Sequence, residues 1–295
     1  LAQLAQGGYK VAGFDMYAVS SVLPGSGLSS SAACEVLLGT AGNHLFCGDV
    51  YDAVTIARIG QKAENIYFGK PSGLMDQTAS SVGDTVAIDF ENPEAPVVRP
   101  IEANLEGLGL ALCIIDCGAD HAALTGEYAS IPQEMCQVAA YFGKKVLREV
   151  KEADVLANLP ALRQKVGDRA VLRALHFYAD DQRAVEEADA LANGEKETFL
   201  NLVKESGRSS WELLQNITPA AAVAHQDMAI ALTVAEKALN GEGACRVHGG
   251  GFAGTIQAFV PLEKVSAFKK TVESMLGEGC CHVLSIRPAG GIVLE

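Results

Sequence analysis

Pro24-Gly25-Ser26-Gly27-Leu28-Ser29-Ser30-Ser31-Ala32-Ala33 is the stretch on which the reading of this chain turns. Pro24 closes an apolar segment, and two glycines then let the backbone turn tightly and approach a ligand closely. Three serines offer helix caps, after which Cys34, Leu37, Leu38, Ala41 and Leu45 recur at helical spacing. The free N–H groups of a helix start and the helix dipole together favour an anion such as a nucleotide phosphate. The same residues also suit a plain Ser-capped helix after a Gly turn. No Gly-Lys-Ser/Thr follows the glycines, so this is not a Walker loop.

Outward from this segment, Lys10–Leu23 carries Val11, Phe14, Tyr17, Val19 and Val22 and predicts a strand leading into the cradle. Helices are predicted near 30–47, 49–67 and 74–82, then strands near 84–90, 96–101 and 108–116. Residues 127–240 read as helical, with breaks at Pro160, Asn193-Gly194, Ser206-Gly207 and Thr218-Pro219. Ala244–His248 and Phe252–Val260 read as strands joined by Gly249-Gly250-Gly251. A helix near 262–276 and a strand near 281–286 follow. Mixed elements without a regular β-α-β repeat predict an α+β fold. We expect two domains, 1–120 and 121–295.

The 295 residues are 49% hydrophobic and 20% charged, enough to bury a sizeable core. A net charge of −13 argues against nucleic acid or an anionic membrane as the main partner. Eight cysteines lie at irregular spacing, which favours reduced thiols over a disulfide framework. Cys113/Cys117 and Cys280/Cys281 lack the spaced quartet of a zinc site. With no membrane-length apolar run and no visible signal peptide, the composition predicts a cytoplasmic protein.

Two further motifs carry chemistry. Gln61-Lys62-Ala63-Glu64-Asn65 and Gly73-Leu74-Met75-Asp76-Gln77 place carboxylates on either side of the turn at Pro71-Ser72-Gly73. Phosphoryl transfer needs an oxygen ligand for a metal near the phosphates, and often a carboxylate near the acceptor hydroxyl. Glu64 suits the first role and Asp76 the second. The other motif is Gly243-Ala244-Cys245-Arg246-Val247-His248-Gly249-Gly250-Gly251-Phe252-Ala253-Gly254, whose glycine run points to close approach by a ligand or another backbone.

With all three in order, the chain resembles the GHMP family of small-molecule kinases, and its galactokinase branch in particular. The resemblance implies a two-domain α+β fold, the N-terminal domain incomplete and the C-terminal one a ferredoxin-like α/β sandwich. It implies ATP and Mg²⁺ as cofactors and phosphorylation of a sugar, galactose first, at its anomeric hydroxyl. Gly25, Ser26, Gly27, Leu28, Ser29, Ser30 and Ser31 would hold the ATP phosphates, with Ser31 and Glu64 at the metal. Asp76 would be the catalytic carboxylate, and Tyr128, Gly249, Gly250 and Gly251 would face the sugar. A kinase for another small alcohol and a non-catalytic sugar and nucleotide sensor are the alternatives.

The chain departs from the family in several places. The first family motif, which precedes the point where Leu1 begins, is absent. Residues 1–295 alone are therefore expected to be inactive, with the preceding segment as a partner. Ala129-Ser130-Ile131 follows Tyr128 where Asn-x-Arg is usual, and His248 stands where Thr is usual. Trp211, with Leu213, Leu214 and Ile217, reads as helix packing.

Overall fold

A computed structural model of the chain describes residues 1–22, 28–69, 72–118 and 124–294. Two compact units result. The first is Leu1–Glu102 together with Ile286–Glu295, and the second is Ala103–Ser285.

In the first unit, α1 (Ala2–Gln6) precedes residues 9–22, which form neither helix nor strand, and α2 (Ser30–Gly42), α3 (Ala53–Tyr67) and α4 (Met75–Val82) follow. Strands β1 (Thr85–Asp89) and β2 (Val97–Ile101) pair antiparallel, with Thr85 opposite Ile101. A π turn, Asn43–Cys47, extends α2. Asp52 caps α3 by accepting from Thr55 N–H at 2.7 Å, which holds its carboxyl below the usual carboxylate range. The three longer helices pack on one another, buried through Ala32, Val36, Ile56, Ala57, Gln77 and Thr78. Ser81 Oγ donates to Ala53 O at 2.7 Å and ties the end of α4 to the start of α3. The returning chain end completes this unit, Asp84 N–H donating to Arg287 O at 2.8 Å.

The strand predicted at Lys10–Leu23 does not form over the described residues 10–22. Tyr17 is 92% exposed and Val19 80% exposed, and no described strand lies beside this segment to complete a ladder. Alternation alone is not sufficient, because a strand is stable only when its backbone groups find partners.

The second unit starts with β3 (Leu110–Asp116). A helical run follows: α5 (Thr125–Tyr141), α6 (Glu152–Ala157), α7 (Leu159–Val166), α8 (Asp168–Ala192), α9 (Lys196–Ser209) and α10 (Asp227–Leu239). β4 (Ala244–Val247), β5 (Thr255–Pro261), α11 (Val265–Leu276) and β6 (Cys281–Leu284) complete it. Its sheet is antiparallel in the order β4-β5-β3-β6, so β4 is an edge strand. The period-2 pattern gives the sheet two covered faces. Cys113, Ile115, Val247, Ile256, Ala258 and Val260 pack against α10 and α11. Leu110, Ala244 and Phe259 pack against α9. A separate helical core is built on α5, α7 and α8 around Val138, Leu162, Val171 and Ala174.

The break predicted at Ser206-Gly207 is absent, since α9 runs through it. Gly207 packs on the edge strand instead: a Cβ there would stand 3.0 Å from Arg246 Cβ and 3.3 Å from Cys245 O. The missing side chain serves close helix–strand approach rather than a turn.

Candidate active site

Of the phosphate-cradle residues, Gly25, Ser26 and Gly27 lie outside the described residues. Leu28, Ser29 and Ser30 are half-buried where α2 begins, and Ser31 is exposed in its first turn. Ser29 is the N-cap, with a left-handed backbone (φ 55°), and its side chain does not cap the helix. Its hydroxyl donates instead to Asp76 Oδ2 at 2.6 Å, across 47 residues of sequence. The first-turn N–H groups of α2 thus donate to no side chain of their cap residue, which is the condition under which a helix start receives an anion. Asp76 is exposed in the first turn of α4, where the helix dipole favours a carboxylate.

Glu64 is 5% exposed on α3. Gln77, the residue after Asp76, donates from Nε2 to both Glu64 Oε2 and Glu35 Oε2, each at 3.1 Å. Gly60 permits this arrangement, because a Cβ there would stand 3.1 Å from Glu35 Cβ. Two carboxylates therefore sit one hydrogen bond from the same amide. Gln77 Oε1 is buried with no hydrogen-bond partner among the described residues. An all-oxygen donor set with an unsatisfied amide oxygen fits a hard cation such as Mg²⁺. Among the described residues no group of three His, Cys, Asp or Glu could hold a metal by itself. Neither Glu35 nor the bridging role of Gln77 is evident from the sequence. The signal available was Glu35 standing four residues beyond Ser31, on the turn after the cradle.

The second unit brings Tyr128 to the glycine loop. Tyr128 Oη donates to Gly251 O at 2.8 Å, and its ring meets Phe252 edge-on with centroids 5.5 Å apart. Burial pushes the Tyr128 phenol up from its ordinary pKa. Asn216, which sequence reading did not single out, clamps the loop from the other side. Its Nδ2 donates to Gly250 O at 3.1 Å, and its backbone carbonyl accepts from Phe252 N–H at 2.5 Å. These bonds hold Phe252 at φ 60°, which a bulky residue adopts only under constraint. His248 hydrogen-bonds through Nδ1 to Thr255 Oγ1 at 2.9 Å, and its backbone N–H donates to Thr255 O at 3.1 Å.

Comparison with known proteins gives the family. Residues 1–84 match the model of the GHMP kinases N terminal domain. The chain is 31% identical to the galactokinase of Streptomyces coelicolor over 272 residues, covering 92% of this chain and 67% of that one. The chain belongs to the GHMP kinase family. This GHMP kinase chain is also 32% identical to the galactokinase of Glaesserella parasuis, covering 89% of itself and 65% of that protein. It spans about two thirds of the length of such relatives. The fold is shared with Lactococcus lactis galactokinase, solved with galactose, at a TM-score of 0.73 and 24% identity over 98% of this chain and 73% of the other. L. major mevalonate kinase, solved with R-mevalonate, shares it at a TM-score of 0.56 and 14% identity, covering 88% and 66% of the two chains. The GHMP kinase chain has no described helix long and apolar enough to cross a membrane.

Proposed function

We propose that this chain serves the ATP-dependent phosphorylation of a sugar at its anomeric hydroxyl, with galactose as the first candidate, in the cytoplasm. The observation that carries the proposal is the Ser29–Asp76 hydrogen bond. It joins the phosphate cradle to the expected catalytic carboxylate, the two groups that a phosphoryl transfer must hold in one frame.

In this reading Ser29 fixes Oδ2 of Asp76, and Oδ1 accepts or orients the proton of the acceptor hydroxyl. Residues 25–31 hold the phosphates through backbone N–H groups. Ser31 and Glu64 hold Mg²⁺, which when bound supplies neutralisation of phosphate charge. Gln77 keeps Glu64 oriented. Tyr128 and Gly249–Gly251 present a rigid surface to the sugar, because the phenol and Asn216 fix the loop before any ligand arrives.

The test is ADP release with Mg-ATP and a panel of sugars, on the longest natural polypeptide containing residues 1–295. Galactose-dependent release, abolished by Asp76→Asn, is the expected result. Ordinary ATP binding without release for any sugar would overturn it, leaving another small alcohol or a sensing role. The same assay on residues 1–295 alone checks the inactivity expected from the sequence.

A further inference from the structure

A cavity of about 610 Å³ lies wholly within the second unit, and neither Asp76 nor Tyr128 lines it. It forms because β4 is the edge of its sheet while α9 and α10 pack on opposite faces, so the two helices diverge beyond the last strand. The floor is β4 at Cys245, which is 7% exposed. One wall carries Lys204, Arg208 and Trp211 at helical spacing along α9 and the π turn that extends it, Ser210–Leu214. The facing wall carries Leu232, Glu236 and Leu239 on one side of α10. Trp211, expected to be helix packing, is 41% exposed and contributes to this cavity.

The charges here are unspent. Lys204, Arg208, Glu212 and Glu236 have no ion-pair or side-chain hydrogen-bond partner among the described residues. Arg246, by contrast, is engaged with Ser206 Oγ at 2.6 Å. Glu236 and Lys204 bear on the Cys245 thiol with opposite sign, so the two charges flank the floor. Lys204, Arg208 and Glu212 on one wall, Glu236 on the other and an apolar body between them complement a molecule carrying both charges. A dianion such as a nucleotide would meet Glu236 and Glu212, and a pure cation would meet Lys204 and Arg208.

We infer that this cavity is a binding site for a small zwitterion of the α-amino-acid type with an apolar or aromatic side chain. Lys204 and Arg208 take the carboxylate, Glu236 takes the ammonium group, and the side chain lies against Trp211, Leu232 and Leu239. The volume falls in the range of about 300–1,000 Å³ usual for small-molecule sites.

Trp211 is the sole tryptophan of the chain, so its fluorescence reports on the cavity without any measurement of catalysis. The probes are L-phenylalanine, 3-phenylpropionate, which lacks the amine, and phenethylamine, which lacks the carboxylate. A saturable emission change with phenylalanine is expected, with each analogue about tenfold weaker for want of one charged hydrogen bond. Arg208→Gln should weaken phenylalanine and spare phenethylamine, and Glu236→Gln should weaken phenylalanine and spare phenylpropionate. Both residues are exposed, so neither variant threatens folding. No saturable change with phenylalanine, or equal binding of phenylpropionate, overturns the inference.

Discussion

Replacing Gly251 by alanine tests the view that the glycine loop is a clamped surface rather than a slack turn. Gly251 has φ +84°, and a Cβ there would stand 2.1 Å from the carbonyl oxygen of Asn216 and 2.6 Å from its Nδ2. Neither is the flexible end of a side chain, because that carbonyl already accepts from Phe252 N–H and Nδ2 holds Gly250 O. The left-handed backbone costs alanine about 1 kcal/mol. Displacing the clamp adds about 1–3 kcal/mol of overpacking, by analogy with other tight sites. Gly249 supplies the control: its φ is +68°, but nothing lies within 4 Å of its Cβ position, so alanine there meets the backbone cost alone. Urea unfolding followed by Trp211 fluorescence reads the second unit, where the only tryptophan resides. With a denaturant slope of about 1–3 kcal/mol per molar, Gly251→Ala should lower the midpoint by about 1–2 M. Gly249→Ala should lower it by less than half of that. Equal midpoints for the two variants would refute the clamp.

Asp76→Asn should reduce turnover by about 10²–10⁴-fold, the usual contribution of a positioned base, in the sugar-dependent ADP assay. Ser29→Ala removes only the bond to Oδ2 of the exposed Asp76 and should cost about tenfold or less. Arg173 is fully buried and its Nη1 donates to Glu134 Oε2 at 3.0 Å and to Ser130 Oγ at 2.9 Å. Glu134→Ala strands that guanidinium, so the second unit should lose about 3 kcal/mol in the same unfolding experiment. Glu187 on α8 is pushed up to about 7 by burial, the attraction of Arg246 and Arg183 notwithstanding. A carboxyl raised in the folded state stabilises fully below its unfolded value and loses that stability as pH rises through 7. Glu187→Gln should therefore raise the thermal midpoint relative to the parent at pH 8, with the gap closing towards pH 5. A gap that is independent of pH would contradict the assignment.

The helices at 30–47, 49–67 and 74–82 were legible because capping and spacing are local: Asp52 caps α3 within three residues of itself. The strands of the second unit were legible because alternation marks both faces of a covered sheet, as Cys113 and Ile115 alternate with Leu112 and Ile114. The failures share a cause. Lys10–Leu23 has the pattern of a strand but no ladder partner among the described residues, and Gly207 has the composition of a break but the neighbourhood of a packing contact. Each depends on what lies opposite, which a one-dimensional pattern does not contain.

The same division applies to the site. Sequence by itself determined the family, through the resemblance its motifs carry, and the order of those motifs, since glycines and serines ahead of a helix start and two nearby carboxylates are chemical requirements written in short segments. Only the tertiary structure decided that Ser29 bonds Asp76 across 47 residues, that Gln77 joins Glu35 to Glu64, and that Asn216 and Tyr128 hold the glycine loop from two sides. It also showed that Trp211 lines a cavity and returned Ile286–Glu295 to the first unit. The reason is physical. Backbone propensity and capping act over a few residues, whereas hydrogen bonds between distant segments and the space left beyond a sheet edge exist only once the chain has packed.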